Sequence, residues 1–462
     1  MKIKRIVFDL TTSYYWRGID VGITRTEKAI AKILMENLAK NTIFCYFCKK
    51  NNKFIKMNQI LAHQLINNQG IIQHSPYEIE LKPPIVEDMI HYIISNRIIK
   101  KIVRSLISPK YHSVTLGFFN DIKKYLYCTK SIKKQYANFN NLQKKTPANL
   151  ELCQFNKGDL YISLGLDWDK ENLPKIYSIL EDVSIKTILF CYDLIPYKLP
   201  HTVVPGYELK MMQYFADLLW CSSYIITISE SAKHDLLDYS RIIGAPKPNI
   251  QVINIGCDLL KEDSSIELST IKSTLLNKDF VLSVSTIEPR KNYITIYNAW
   301  RKLYERNSKN LPMLVIVGRE GWLCNDLVST IKNDINLSKF IIILSNVNDS
   351  ELLWLYKNCL FTIFPSLYEG WGLPVAESLF YGKYCISSNA SSLPEVTQGL
   401  TKLIDPYDIY SWVNEIANLI EDKDKLKSLE ENIKVHYNPQ TYHRMSMDFL
   451  DFLSTKFDMQ RN

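Results

Sequence analysis

Phe364-Pro-Ser-Leu-Tyr-Glu-Gly-Trp-Gly-Leu-Pro-Val-Ala-Glu-Ser378 passes from an apolar run, through a loop with two glycines, into a second apolar run opened by Pro374. It reads as a strand that ends at Phe364 and a helix that opens near Pro374, since proline is favoured in a first helical turn. The unbonded N–H groups of that turn, with the helix dipole, form an anion site. Gly370 and Gly372 let a ligand approach the backbone closely. Glu369 and Glu377 repel phosphate but accept hydrogen bonds from sugar hydroxyls. The plainer alternative is a turn at the glycines with both glutamates solvated.

The same strand-then-helix unit recurs outward from this stretch. Strands are expected at Phe280 to Ser285, Met313 to Val317, Phe340 to Leu344, Phe361 to Phe364 and Tyr384 to Ser387. A first series precedes them, at Arg5 to Leu10, Leu160 to Leu164, Thr187 to Tyr192, Ile225 to Ile228 and Gln251 to Ile253. Strands alternating with helices imply parallel sheets covered on both faces. The fold class is therefore α/β, with two Rossmann-like doubly wound domains in tandem and a cleft at their strand carboxyl ends. The expected bounds are residues 1–262 and 263–435, with the polar stretch 258–276 as linker and a helix in 436–462 packing back on the first domain. A poorly periodic insertion is expected at about 50–150.

Length and composition agree with this division. A chain of 462 residues exceeds what one core supports, and 46% hydrophobic with 23% charged residues excludes a disordered protein. The formal charge of +8 suits anionic partners without choosing among them. The apolar run before Asp9 is too brief for a secretory leader, and no run approaches the ~18 residues of a membrane span. Cys45 and Cys48 form a C-x-x-C within a strand-like run, where residues three apart face opposite ways. Buried free thiols are expected there, and a reducing cytoplasm with them.

Ser285-Thr-Ile-Glu-Pro-Arg-Lys-Asn292 follows the first strand of the second series. Arg290 supplies a planar donor fork and Lys291 a point charge, a combination suited to a diphosphate. The alternative is a solvated surface pair.

Residues 280 to 420 resemble the retaining glycosyltransferases of family four, which have the two-domain GT-B fold. The resemblance rests on Glu288-Pro-Arg-Lys-Asn292, then Leu314-Val-Ile-Val-Gly318, then Glu369-Gly-Trp-Gly-Leu-Pro-Val-Ala-Glu377, in that order. Ser388-Asn-Ala-Ser-Ser-Leu-Pro-Glu-Val396 and Asp405-Pro406 agree with it. It implies that Arg290 and Lys291 hold a donor diphosphate and that Glu377 binds the ribose. Glu369 faces the transferred sugar, with Gly370, Trp371, Gly372 and Leu373 lending their backbone. Val347, in Ser345-Asn-Val-Asn-Asp-Ser350, borders the nucleobase.

In the first half, Trp16-Arg-Gly-Ile-Asp-Val-Gly-Ile-Thr-Arg25 resembles the family's glycine-bearing loop across the cleft, which brings in Gly22 and Arg25. Phe190-Cys-Tyr-Asp-Leu-Ile-Pro196 resembles a strand end where His-Asp-Leu is common. Here Tyr192 replaces the histidine, and Asp193 remains as an acceptor-side residue or a loop cap. Thr227-Ile-Ser-Glu-Ser231 also matches, with Ser229 or Ser231 as a helix cap. The implied catalytic set is Asp193, Arg290, Lys291 and Glu369.

Asp167-Trp-Asp169 has the D-x-D form of a cation site in another glycosyltransferase fold, but it lies far in sequence from the donor motifs. His201, His234 and the other histidines lack ligand spacing. No metal and no cofactor are expected beyond a nucleoside diphosphate sugar as donor.

The stretch from Arg97 to Lys145 holds about twelve basic residues against one acid, Asp121, with Tyr111, Phe118, Phe119, Tyr125 and Tyr127 interleaved. It reads either as a patch for anionic membrane or as solvated basic helices.

The expected activity is retaining transfer of a hexose or deoxyhexose to a glycan or lipid-linked glycan acceptor. The resemblance favours the mannosyl- and rhamnosyl-type enzymes that build bacterial surface polysaccharides such as O-antigen or capsule. The expected place is the cytoplasm, peripheral on the inner face of the cell membrane, with no nucleic-acid partner. Two other classes stay open, a nucleotide-sugar epimerase of similar fold and a non-catalytic glycan or nucleic-acid binder.

Overall fold

The computed structural model describes residues 3–17, 20–67, 151–258, 270–306 and 311–457. Two sheets lie in one compact unit formed by residues 1–69 and 152–462. The basic stretch 97–145 and its aromatics fall outside the described residues.

The first sheet contains β1 (Arg5–Asp9), β2 (Thr42–Cys48), β3 (Lys53–Lys56), β4 (Asp159–Ser163), β5 (Lys186–Cys191), β6 (Tyr224–Thr227) and β7 (Ile250–Val252), in the order β3-β2-β1-β4-β5-β6-β7. All its pairings are parallel except β2 with β3. Ile6, Val7 and Phe8 are fully buried in succession, as a strand covered on both faces requires. They alternate between layers: Ile6 and Phe8 join one apolar cluster and Val7 another. Cys45 and Cys48 divide between the same two clusters, both as free buried thiols.

The second sheet contains β8 (Phe280–Val284), β9 (Met313–Val317), β10 (Ile341–Leu344), β11 (Thr362–Phe364), β12 (Cys385–Ser388) and β13 (Leu403–Ile404), in the order β10-β9-β8-β11-β12-β13. Every pairing in it is parallel. The two sheets are two Rossmann-like domains.

Three local readings change. Lys53-Phe-Ile-Lys56 extends the first sheet past residue 50 as an antiparallel edge, so 50–67 do not belong to an insertion. Its two lysines left too few apolar residues to show alternation. Within the polar stretch 258–276, Thr270–Leu275 is helical. Two-residue β13 is too short to carry a period.

The helix Tyr442–Phe457 packs on the first domain's helix Gly22–Asn37. Phe449 meets Phe190 at 6.2 Å between ring centroids, and Phe452 meets Tyr224 at 5.6 Å. The chain's return is pinned where Cys257 N–H donates to Gln440 O at 2.7 Å. No described helix is long and apolar enough to cross a membrane.

At the carboxyl ends of β1 and β4 lie three buried carboxyl groups, Asp9, Glu27 and Asp167. Asp9 accepts from Thr11 and from Tyr161 Oη at 2.6 Å, Asp167 from Ser163 Oγ at 2.7 Å, and Glu27 from Ser13 N–H at 2.7 Å. Asn172 Nδ2 bridges Asp9 and Asp167. No Lys or Arg bonds to any of the three among the described residues. Desolvation, and then the charge of Asp9, raise Glu27 to about 8 and Asp167 to about 7.

A carboxyl whose folded pKa lies above its unfolded value keeps a proton that the unfolded chain has released. Stability therefore falls as pH rises between the two values. For Glu27 the window runs from its ordinary 4.5 to about 8. The expected outcome is a melting temperature that declines from pH 5 to pH 8, with a slope approaching ~1.4 kcal/mol per pH unit for each such group. Glu27→Gln flattens that decline in calorimetry; an unchanged slope in this variant would refute the assignment.

Candidate active site

The turn Pro289–Lys291 follows β8, and the loop 365–372 follows the adjacent β11. Neighbouring parallel strands thus bring Arg290, Lys291 and Glu369 to one place. Glu369 Oε2 lies 2.9 Å from Arg290 Nη1, and Glu369 Oε1 lies 2.5 Å from Lys291 Nζ. Ser366 Oγ donates to Oε1 at 2.7 Å. Arg290 Nε is held 2.7 Å from Glu288, while Nη1 also donates to Tyr368 O at 3.1 Å. Arg290 Nη2 has no partner among the described residues. Lys291 lies over the Phe364 ring at 5.1 Å.

These four charged groups sit almost out of water, and their protonation follows from each other. Desolvation would raise Glu369, but Arg290 and Lys291 hold it down to about 2. Desolvation opposes the charge of Arg290, yet Glu369 and Glu288 keep it above its ordinary value. Lys291 is lowered by desolvation and by Arg290, and Glu288 is raised by desolvation.

Beyond Glu369 the chain turns tightly into the helix Leu373–Phe380. Gly372 has φ +116°, a conformation side chains rarely adopt. A methyl group on Gly370 would lie 2.4 Å from Tyr192 O, so only glycine admits the first domain's strand end there. Ser391 and Ser392 secure the loop: Ser391 Oγ accepts from Glu369 N–H at 2.7 Å, and Ser392 Oγ lies 2.8 Å from Trp371 O. The N–H groups of Gly370, Trp371, Gly372 and Leu373 have no partner among the described residues. Four successive open donors at a helix start form an anion-binding surface.

The Trp371 side chain is buried against the apolar core, and the residue also lines a separate polar cavity of about 160 Å³ with Asn254, Glu395 and Gln398.

On the next turn, Glu377 Oε2 accepts from Tyr356 Oη at 2.8 Å. Desolvation raises Glu377, while Tyr356 and the charge of Arg25 oppose that shift. Arg25, half-buried on the first domain's helix, has no side-chain partner among the described residues. Gly22 opens the same helix, and a methyl group there would lie 3.0 Å from Leu373 Cδ1. Val347 stands apart from the ion pairs, half-buried before the capped helix Asp349–Asn358; Asp349 acts on Glu377.

Asp193 follows β5 and lines a cavity together with Arg290. One carboxyl oxygen accepts from Ile195 N–H at 3.0 Å, as a loop cap does. Desolvation raises Asp193, partly offset by that bond and by Arg290. Tyr192 donates to Leu164 O at 2.6 Å and is buried.

The D-x-D aspartates diverge: Asp167 bonds Ser163 and Asn172, whereas Asp169 pairs with Lys210 at 2.8 Å. Ser229 caps the helix Glu230–Ile242 through Ala232 N–H. Glu395 accepts from Glu230 N–H and Ser231 N–H at 2.8 and 2.9 Å, a bond between domains.

Sequence reasoning gave Glu288 no role, although it stands in the quoted motif. It also missed Tyr368, which donates to Asp235, itself 2.8 Å from Lys198. Trp322 carried no local signal at all; its indole N–H donates to Thr202 O at 2.8 Å, across the domains.

Residues 267–436 match the glycosyl transferases of group 1. The chain is 30% identical over 267 residues, 55% of its length, to the serotype-specific mannosyltransferase WbdA of Escherichia coli, covering 31% of that protein. It is 27% identical over 201 residues to the O-antigen chain mannosyltransferase B of Escherichia coli, 43% of this chain and 51% of the relative. The chain thus spans about a third of the length of the first relatives it matches. Its backbone is similar to that of Anabaena HepE in complex with UDP-glucose, with a TM-score of 0.59 at 14% identity, over 98% of this chain and 99% of the other. That likeness shows the two-domain GT-B fold.

Removing Glu369 would leave Arg290 and Lys291 buried without their shared carboxylate. Glu369→Ala is expected to cost about 3–5 kcal/mol, the range for breaking a buried pair. Chemical denaturation checks this; a loss under about 1 kcal/mol, the value of an exposed pair, would show that the cluster is solvated.

Proposed function

We propose, for a chain whose residues 267–436 match the glycosyl transferases of group 1, that it moves a hexose or deoxyhexose from a nucleoside diphosphate sugar to a growing surface glycan. Mannose is the favoured sugar, because WbdA and the O-antigen chain mannosyltransferase B are named for it. The observation that carries this reading is one cluster of groups without a partner among the described residues at the helix Leu373–Phe380: four backbone N–H donors, Nη2 of Arg290 and the guanidinium of Arg25.

In this reading the diphosphate lies on Arg290, Lys291 and the N–H groups of Gly370 to Leu373. Arg290 and Lys291 are already balanced by Glu288 and Glu369. The added negative charge therefore falls on the helix dipole, Arg290 Nη2 and Arg25. Glu377 keeps one oxygen for ribose hydroxyls, and Glu369 is fixed where the transferred sugar begins.

As the anomeric carbon–oxygen bond breaks, charge develops on the leaving diphosphate and these fixed donors stabilise it. The acceptor oxygen bonds to the same face of that carbon. Its proton passes to the departing diphosphate oxygen, so configuration is retained without a protein nucleophile. The positive groups perform the task a divalent cation has elsewhere, and the reading includes no metal. A lipid-linked acceptor at the inner face of the cell membrane is part of the same proposal.

Two measurements test it. In a panel of nucleotide sugars, the true donor at 100 times its dissociation constant stabilises the protein by about 2.7 kcal/mol. Glu377→Ala abolishes transfer with an unchanged melting temperature, and Arg290→Ala abolishes it with a lowered one, since Glu288 and Glu369 lose their partner. Full transfer by either variant would overturn the site.

A further inference from the structure

A cavity of about 150 Å³ shares Arg290 with the donor crevice, and its walls are largely carbon. Trp168, Tyr207 and Tyr214 line it, with Asp193, Arg290 and Trp322. Trp168 meets Tyr214 edge-on at 5.2 Å, which braces part of the aromatic wall. The tryptophan of the Asp167-Trp-Asp169 motif, and neither of its aspartates, is what this motif brings to the cavity. Asp193 has one oxygen on Ile195 N–H and no partner for the other among the described residues. Arg290 belongs to both spaces, since it also holds Glu369 of the donor loop.

We infer that this cavity is an acceptor subsite for a single pyranose ring, and that Trp322 completes it from the donor domain. The volume is that of roughly five waters, room for the apolar face of one ring with its outer edge beyond the cavity. A pyranose has an apolar C–H face and a rim of hydroxyls. The cavity has the matching asymmetry, with an aromatic wall and one polar edge at Asp193 and Arg290.

Trp322 lies on the loop after β9, in the second domain, yet its N–H binds Thr202 O of the first. The rim is therefore closed by a contact between domains, and the ring is enclosed only when both are in place. Asp193 accepts a hydrogen bond from the attacking hydroxyl and orients it. The acceptor O–H bond breaks, the new carbon–oxygen bond forms, and the proton leaves on the diphosphate as above.

This inference rests on the transferase reading, and the experiment separates the two. With the nucleotide sugar that stabilises the wild type, transfer is followed to a panel of methyl glycosides, including methyl α-mannoside. Donor hydrolysis without acceptor and stabilisation by the nucleoside diphosphate are followed in parallel. Trp322→Ala and Tyr207→Ala are expected to raise acceptor KM roughly tenfold or more, the scale of one lost aromatic contact. Both keep donor KM, donor hydrolysis and nucleotide stabilisation, and Trp322→Phe recovers most of the acceptor KM. Unchanged acceptor KM in both alanine variants, or donor hydrolysis with no transfer to any methyl glycoside, would overturn the subsite. A wild type that no nucleotide sugar stabilises would overturn the transferase reading, and the subsite with it.

Discussion

Burying two cations side by side is unfavourable unless something negative lies between them, and Glu369 is that group. It touches Arg290 with one oxygen and Lys291 with the other. The crevice depends on this contact for its shape. The carboxylate joins the turn after β8 to the loop after β11, and Ser366, Ser391 and Ser392 hold the loop that carries it. Desolvation alone would neutralise the glutamate; two cations within bonding distance keep it charged. These bonds set the loop's course without any ligand, and its next four N–H groups have no partner among the described residues.

The second constraint is the meeting of two sheets. Gly370 lies against Tyr192 O and Gly22 against Leu373, so each side of the crevice is shaped by the other. Polar contacts repeat this at the rim. Tyr368 donates to Asp235, Glu395 caps the helix Glu230–Ile242, and Trp322 reaches Thr202. Tyr368 makes its contact from the loop that carries Glu369, whereas Glu395 and Trp322 make theirs from the segments after β12 and β9.

Below the first sheet's carboxyl edge the electrostatics run the other way. Asp9, Glu27 and Asp167 have hydroxyl and amide partners and no cation among the described residues, so burial drives protons onto them. Tyr192 is sealed above this cluster by its bond to Leu164 O. The strand end before Asp193 thus carries a phenol fixed on a carbonyl.

Much of this was legible in the residues. Val-Leu-Ser-Val before Ser285 and Thr-Ile-Phe before Pro365 read as buried parallel strands, because continuous apolar runs are what double burial requires. The glycines, the proline at the helix start and the Arg290-Lys291 pair are likewise local, set by backbone conformation and charge. Lys53-Phe-Ile-Lys56 was not legible, since a four-residue edge strand has too little period to detect. Nor was the burial of Trp371, which depends on what packs around a loop. The sequence by itself determined the two alternating series and which residues stand at strand ends. Only the tertiary structure decided that Glu369 lies between two cations, that Trp322 meets a carbonyl 120 residues away, and that the aspartates of the D-x-D diverge. Those outcomes depend on contacts between segments distant in the chain, and local pattern carries no information about which distant groups share a buried space.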